Sequence, residues 1–231
     1  MAVFPFLQKI DGKQFLIVGD GSIAWRKAEL LCLFTNQVTM LTDRTDSDGD
    51  IRRGTDRNGN GEESPRTNKE TARPQISPVV YRRRFRPSDL EKADYCIAST
   101  DDSGRNHWIA ALCRDAGIPV NVPDAPSLCT FYLPSVVKKG DLTVAISTNG
   151  KSPALSAHLR QEIEKILPSE TEEILNRMGE LREWAAENIP DTGSRRELYH
   201  SILTELLLND LVPEKEAVLQ RAKTQIFDTD L

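Results

Sequence analysis

The chain has 231 residues, long enough for one large domain or two small ones, and its 39% hydrophobic and 28% charged residues are an ordinary globular balance. A formal net charge of −5 argues against a general nucleic-acid binder, which is usually basic. No apolar run approaches the roughly 18 residues of a membrane span, and the opening MAVFPFLQKIDGKQ lacks the basic and apolar regions of a signal peptide, so a cytoplasmic protein is expected.

In chain order, residues 14–19 (QFLIVG) form an apolar run bounded by turn residues and read as a buried strand. Residues 22–34 read as a helix, with Ala24, Ala28 and Leu31 on one face and Ser22 able to cap its start. Residues 37–42 (QVTMLT), 79–85, 94–99 (DYCIAS) and 118–122 read as further strands, and residues 103–116 as a helix ended by Gly117. Strands alternating with helices predict an α/β class fold, a parallel, doubly wound Rossmann-type sheet. Beyond Asp124 the pattern changes. Residues 130–137 and 142–148 read as strands joined by a turn at Lys138-Lys139-Gly140-Asp141. Helices are then expected over 153–166, 170–187, 194–208 and 214–224, separated by Pro168, Pro190 and Pro213. Cys32, Cys96, Cys113 and Cys129 form no CxxC and sit in apolar contexts, which predicts buried thiols in a reducing compartment.

Residues 45–78 are rich in Asp, Arg, Gly, Asn and Glu, with only Ile51, Ala72 and Ile76 as aliphatic residues, and predict a disordered surface insertion. Within it, Asp56-Arg57-Asn58-Gly59-Asn60-Gly61 matches the first half of a calcium loop. The twelfth position is Thr67 instead of a bidentate Glu and Pro65 lies inside the loop, so calcium binding is not expected.

Gly19-Asp20-Gly21-Ser22-Ile23-Ala24 is a G-x-G-x-x-A sequence between a predicted strand and a predicted helix. Gly19 allows the tight turn, Gly21 lets the backbone approach a pyrophosphate, and Ala24 permits close helix–strand packing. The helix N-terminus offers unpaired N–H groups to the phosphates. Asp43 follows 22 residues after Gly21, where an acid accepts hydrogen bonds from the adenosine ribose and disfavours a 2′-phosphate, so NAD is preferred to NADP, with Arg44 beside it tempering that preference. The plain alternative is a tight strand–helix turn that binds nothing. Thr100, after the fourth strand, is expected to line the cofactor cleft, and Asp101 or Asp102 to cap the next helix. Asn121 to Asp124 falls at the mouth of the same cleft, where Pro123 and Pro126 restrict the aspartate. Asp124 is either a turn residue bonding its own backbone or a positioned proton acceptor.

FLIVGDGSIAWRKAELL, ASTDD, NVPDAPSLCTFYLPS and VAISTNGKSPALSAHLR occur in that order. Together they resemble the precorrin-2 dehydrogenase family, the sirohydrochlorin-forming part of sirohaem synthase, over nearly the whole chain except 45–78. The resemblance implies an NAD-binding domain (residues 1–122), a small dimerisation region (123–152) and a helical region (153–231). It implies NAD-dependent oxidation of precorrin-2 to sirohydrochlorin by a homodimer, with ferrous iron insertion in some members. Asp124 matches the family's catalytic aspartate, and Ser22, Ile23, Asp43 and Arg44 its nucleotide contacts. A carboxylate-rich tetrapyrrole calls for cations and N–H donors, for which Ser147, Thr148, Asn149, Gly150 and Lys151 are candidates along with Asn121 and Arg160. The arginines of Tyr81 to Arg86 read instead as a solvated edge. His107, His158 and His200 lack metal-ligand spacing, so no resident metal is expected. Two other readings stand beside this one: a dinucleotide-sensing module, which would need the glycine loop but no proton acceptor, and a chelatase without dehydrogenase activity.

Overall fold

The computed structural model describes residues 3–42, 52–53, 76–208 and 212–227. Asp43, Arg44, the calcium-like loop and most of the expected insertion lie outside the described residues. The chain divides into two compact units, residues 1–133 and 134–231.

The first unit is built on a six-stranded sheet. In chain order its strands are β1 (Phe15–Val18), β2 (Val38–Thr42), β3 (Arg52–Arg53), β4 (Val79–Arg82), β5 (Tyr95–Ala98) and β6 (Val120–Asn121). They lie side by side as β3-β4-β2-β1-β5-β6, all parallel except β3, which pairs antiparallel with β4 at the edge. Among the described residues its α-helices are α1 (Ser22–Cys32) and α2 (Ser103–Asp115), with short 3-10 turns at Pro87–Lys92 and Pro126–Leu128. Side chains of a strand alternate between faces. Phe15 and Ile17 of β1 therefore join Ala24, Ala28 and Leu31 of α1 in one cluster, while Leu16 and Val18 join Ile109, Ala110 and Cys113 of α2 in another. Both faces of β1 are covered, which is why its sequence is continuously apolar. Burying a side chain such as Ile17 or Ile97, both 0% exposed, contributes about 1.5–3 kcal/mol.

Two local expectations need correction. β6 is only two residues long, not five, and residues 130–134 form no strand. Their β-branched and aromatic side chains mimic a strand pattern, but one backbone hydrogen bond and two side-chain ones stand in place of a ladder there, and Phe131 and Leu133 pack against the α1 cluster.

The second unit opens with an antiparallel hairpin, β7 (Ser135–Lys139) and β8 (Leu142–Ile146), closed by Gly140 at φ 52° and Asp141. Four helices follow: α3 (Pro153–Ile166), α4 (Thr171–Asn188), α5 (Thr192–Leu208) and α6 (Lys215–Phe227). Ile174, Leu181 and Ala185 of α4, Leu198, Ile202 and Leu206 of α5, and Val218 and Ala222 of α6 form one buried core. The Lys139 ammonium donates to the carbonyls of Leu167 and Pro168, just past the end of α3.

Candidate functional site

The glycine loop joins β1 to α1. Gly19 has φ 135°, and a Cβ there would lie 2.0 Å from the Ser99 carbonyl oxygen. Only glycine lets this loop touch the loop after β5. Gly21 has ordinary backbone angles and open space around it, the nearest atom to a built Cβ being Asp101 Oδ1 at 3.9 Å. It is the N-cap of α1 and makes no side-chain cap. Ser22 was expected to cap this helix, but it is the first helical residue, because the turn at Gly19 starts the helix one residue earlier. The amides of the first turn are left for a ligand, with Ser22 exposed and Ile23 half-buried beside them. Ala24 is fully buried against the sheet. An uncapped N-terminus behind an open glycine fits a dinucleotide pyrophosphate.

The loop after β5 is fixed by a residue that sequence reading missed. Asn106, on α2 and 9% exposed, accepts from the Thr100 amide at 3.0 Å and from its hydroxyl at 2.7 Å, and donates to its carbonyl at 2.9 Å. The Thr100 amide, hydroxyl and carbonyl are therefore all engaged by Asn106, and the residue that was expected to line the cleft holds the shape of its loop. Asp102 caps α2 as expected, accepting from the Arg105 amide at 3.1 Å. No sequence period marks a clasp of this kind; only an Asn four residues past a cap hints at it.

The third loop leaves β6. The Ala125 amide donates to the Val122 carbonyl at 3.3 Å, closing a four-residue turn with Pro123 second and Asp124 third. Asp124 has φ 61°. Proline followed by a residue of positive φ is the sign pattern of a type II turn, whose third position favours Gly or Asn. An aspartate there stores about 1 kcal/mol of backbone strain, a feature concentrated at functional sites. The Asp124 carboxylate is exposed, and among the described residues no donor hydrogen-bonds it. Asn121 is 4% exposed. Its Nδ2 donates to the Phe131 carbonyl at 2.9 Å, while its Oδ1 is a buried acceptor without a partner among the described residues. Such an atom costs about 1–3 kcal/mol unless something donates to it.

Lys27 is a second residue missed from sequence. It lies on α1, half-buried, and feels the charge of Asp124. Burial, first of all, and the neighbouring Arg26 charge hold its pKa below the usual lysine value, while Asp124 pulls it up. A cation with reduced hydration thus sits in the electrostatic field of the constrained carboxylate.

In the second unit, Ser147 to Lys151 forms a self-contained turn. Asn149 and Gly150 have φ 51° and 76°, and the Lys151 amide donates to the Thr148 carbonyl at 3.0 Å. Two successive positive φ angles at Asn-Gly mark a type I′ turn. Thr148 Oγ1 accepts from the Ser152 amide, and Ser152 Oγ accepts from the Leu155 amide to cap α3. Lys151 is exposed. Arg160 forms an ion pair with Glu164 one turn along α3, and Arg83 of the expected arginine edge is paired with Asp89. Among the described residues, no three His, Cys, Asp or Glu side chains gather in a metal-holding group.

Residues 6–135, more than half of the chain, match a family model described as putative NAD(P)-binding. The chain belongs to this NAD(P)-binding family. Residues 139–166 of this family member match a second model, the central region of a sirohaem biosynthesis protein. The siroheme synthase of Pseudomonas entomophila is 31% identical over 95% of the chain and 44% of its own length. Those of Thioalkalivibrio sulfidiphilus and Ruthia magnifica are 30% and 28% identical over 99% and 100% of the chain. The chain spans less than half the length of these relatives, 44% and 47% for the latter two. Among solved structures, SirC, a precorrin-2 dehydrogenase, superposes with a TM-score of 0.68 at 17% identity, covering 96% of this chain and 100% of that one. The parallel sheet followed by C-terminal helices is therefore a fold the two proteins share.

Proposed function

We propose that the chain is an NAD-dependent precorrin-2 dehydrogenase that forms sirohydrochlorin in sirohaem synthesis. The observation that carries this reading is Asp124: a carboxylate in a strained turn at the carboxyl end of β6, in the same unit as the dinucleotide loop. In an open parallel sheet, ligands bind beyond the carboxyl ends of the strands. A sensing module needs the glycine loop but has no use for an unpaired carboxylate there.

NAD supplies the hydride acceptor. The α1 amides and Gly21 hold its pyrophosphate. Asp43 is the residue directly after β2 in sequence and accepts from the adenosine ribose, which favours NAD over NADP; Ser22, Ile23 and Arg44 complete the nucleotide contacts. Asp124 takes the proton lost with the hydride. Asn121 gives its N–H to Phe131, so its Oδ1 is left to accept from a donor on the substrate; separately, in the second unit, Ser147, Thr148, Asn149, Gly150 and Lys151 bring N–H donors and a cation suited to a carboxylate-rich tetrapyrrole.

The proposal extends to a cytoplasmic homodimer with the division 1–122, 123–152 and 153–231. A two-stranded hairpin alone is marginally stable, and α3 beside it exposes Leu155 (48%), Leu159 (39%) and Ile166 (77%). A second copy covering the hairpin and α3 would give β7 and β8 the partner they need. A monomeric mass at micromolar concentration in light scattering would refute this part.

The reaction is tested by NADH formation from precorrin-2 generated in situ, with wild type and Asp124→Asn compared. Wild type is expected to form sirohydrochlorin, and the variant to bind NAD as wild type does but to turn over only at a small residual rate. Equal activity would make Asp124 a turn residue only. NAD binding without oxidation by wild type would favour the sensing module. Adding ferrous iron to the same assay reads chelation directly.

A further inference from the structure

The turn carrying Asp124 is not held by a regular ladder, because β6 ends at Asn121. Residues 120–122 and 129–131 are instead tied together by the side chains of Thr130, Asn121 and Cys129 and by one backbone hydrogen bond. The Thr130 hydroxyl accepts from the Val120 amide at 2.8 Å, and the Thr130 amide donates to the Val120 carbonyl at 2.8 Å. Asn121 donates to the Phe131 carbonyl at 2.9 Å. Cys129 Sγ makes the last grip: it accepts from the Val122 amide at 3.2 Å and lies 3.1 Å from the Val122 carbonyl. It is also 3.5 Å from the Ala125 carbonyl.

Val122 and Ala125 are the first and last residues of the turn that contains Asp124. One thiol therefore reaches both ends, with its single S–H hydrogen shared between two carbonyls. The Asp124 carboxylate has no hydrogen-bond donor of its own among the described residues, so backbone geometry alone places it. Cys32, Cys96 and Cys113 are buried members of the apolar clusters, whereas Cys129 is only partly buried and packs against the edge of one.

We propose that Cys129 is a positioning residue for Asp124, its thiol acting as a clasp that holds the strained turn in the geometry the proton transfer requires. The proposal rests on the dehydrogenase reading above. A sulfur suits the place, because its longer bonds span both ends of the turn without drawing them together.

The test uses the full chain carrying Cys129→Ala or Cys129→Ser, each alone and combined with Asp124→Asn. Serine keeps a donor and an acceptor; alanine keeps neither. Cys129→Ala is expected to lower kcat about 10- to 100-fold, as a small displacement of a reacting group can, with KM for precorrin-2 and Kd for NAD within about twofold of wild type. Cys129→Ser should restore at least about a third of kcat. In the Asp124→Asn background the alanine substitution should lower residual turnover by less than about twofold, since groups acting as one unit are not additive. Hydrogen exchange, independent of activity, is read by mass spectrometry on peptides covering residues 122–128. Exchange there should speed at least fivefold in Cys129→Ala and return towards wild type in Cys129→Ser, with the peptides of β1 and β5 unchanged. Full kcat in Cys129→Ala, an additive effect with Asp124→Asn, or unchanged exchange over 122–128 would each overturn the proposal. If wild type does not oxidise precorrin-2, the dehydrogenase reading fails, and the positioning role falls with it even if the exchange result shows that the thiol holds the turn.

Discussion

Gly19 and Ser99 meet so closely that a Cβ on the glycine would lie 2.0 Å from the serine carbonyl oxygen. The contact joins the loop after β1 to the loop after β5, and it separates the two glycines of the fingerprint by role. Gly19→Ala must move the Ser99 backbone and also adopt φ 135°, which together cost about 3 kcal/mol or more. Gly21→Ala meets nothing closer than 3.9 Å and keeps favourable angles, so it should fold within about 1 kcal/mol of wild type. Its methyl group instead occupies the space where a pyrophosphate approaches, and NAD affinity should fall at least about tenfold. Urea unfolding beside NAD titration checks both. A Gly19→Ala protein of native stability, or a Gly21→Ala protein with native affinity, would contradict the assignment.

Asp124 gives a stability order that runs against activity. At φ 61° glycine is unstrained, asparagine is tolerated, and a β-branched side chain is strongly disfavoured. Thermal unfolding is therefore expected to rank Asp124→Gly at or above wild type by up to about 1 kcal/mol, Asp124→Asn near wild type, and Asp124→Val below it by about 1–2 kcal/mol. All three should lose dehydrogenation. A valine variant as stable as the glycine variant would mean that the turn does not hold this conformation.

The clasp between Asn106 and Thr100 should be felt at the cofactor. Asn106→Ala removes three hydrogen bonds to one residue and leaves the Thr100 amide and carbonyl to find new partners, at a cost of about 1–3 kcal/mol. The loop it frees is the one pressed against Gly19. NAD affinity should fall by about 5- to 10-fold in a fluorescence titration, while Asn106→Asp, which keeps both acceptor contacts, should fall less. Equal affinity in wild type and Asn106→Ala would show that the loop holds itself.

The dinucleotide loop was legible because its chemistry is local. G-x-G-x-x-A specifies a turn, an approach and a packing contact within six residues, and apolar runs on both sides specify the strand and the helix. The turn at Asp124 was legible in part: Pro123 announces it, but neither the positive φ nor the hydrogen-bond closure follows from proline alone. Asn106, Lys27 and Cys129 were not legible as site residues. Each acts on a loop to which no periodic pattern links it, and a lone Asn, Lys or Cys on an apolar background carries no signal of its partner. The misread strand at 130–134 has the same origin. Thr130 and Phe131 have strand-like side chains, yet beyond a single backbone bond they attach to β6 by the Thr130 hydroxyl and the Asn121 side-chain amide, which pattern reading does not distinguish from a ladder.

Arg83 and Asp89 give a prediction for acid stability. Two guanidinium nitrogens reach the two carboxylate oxygens at 2.9 and 2.6 Å, and the Arg86 amide donates to the same carboxylate at 2.8 Å. Asp89 is 13% exposed in its side chain and Arg83 40%. Burial alone would raise the Asp89 pKa, but the Arg83 hydrogen bonds, the Arg86 amide and the charges of both arginines outweigh it and hold the carboxyl below its ordinary value. A depressed acid pKa means that the unfolded chain binds the proton more readily. The stabilisation is thus fully present above the unfolded value, near 3.9, and is lost as the pH falls through the lower folded value. The bidentate geometry favours a contribution at the upper end for a partly exposed pair, about 1 kcal/mol. Asp89→Asn should be less stable than wild type by that amount at pH 7, and the two should converge as the pH falls below the unfolded value and through the lower folded one, in urea unfolding followed from pH 7 downward. A difference that stays constant to pH ~2 would mean that the ion pair contributes nothing and that the asparagine is destabilising by its packing alone.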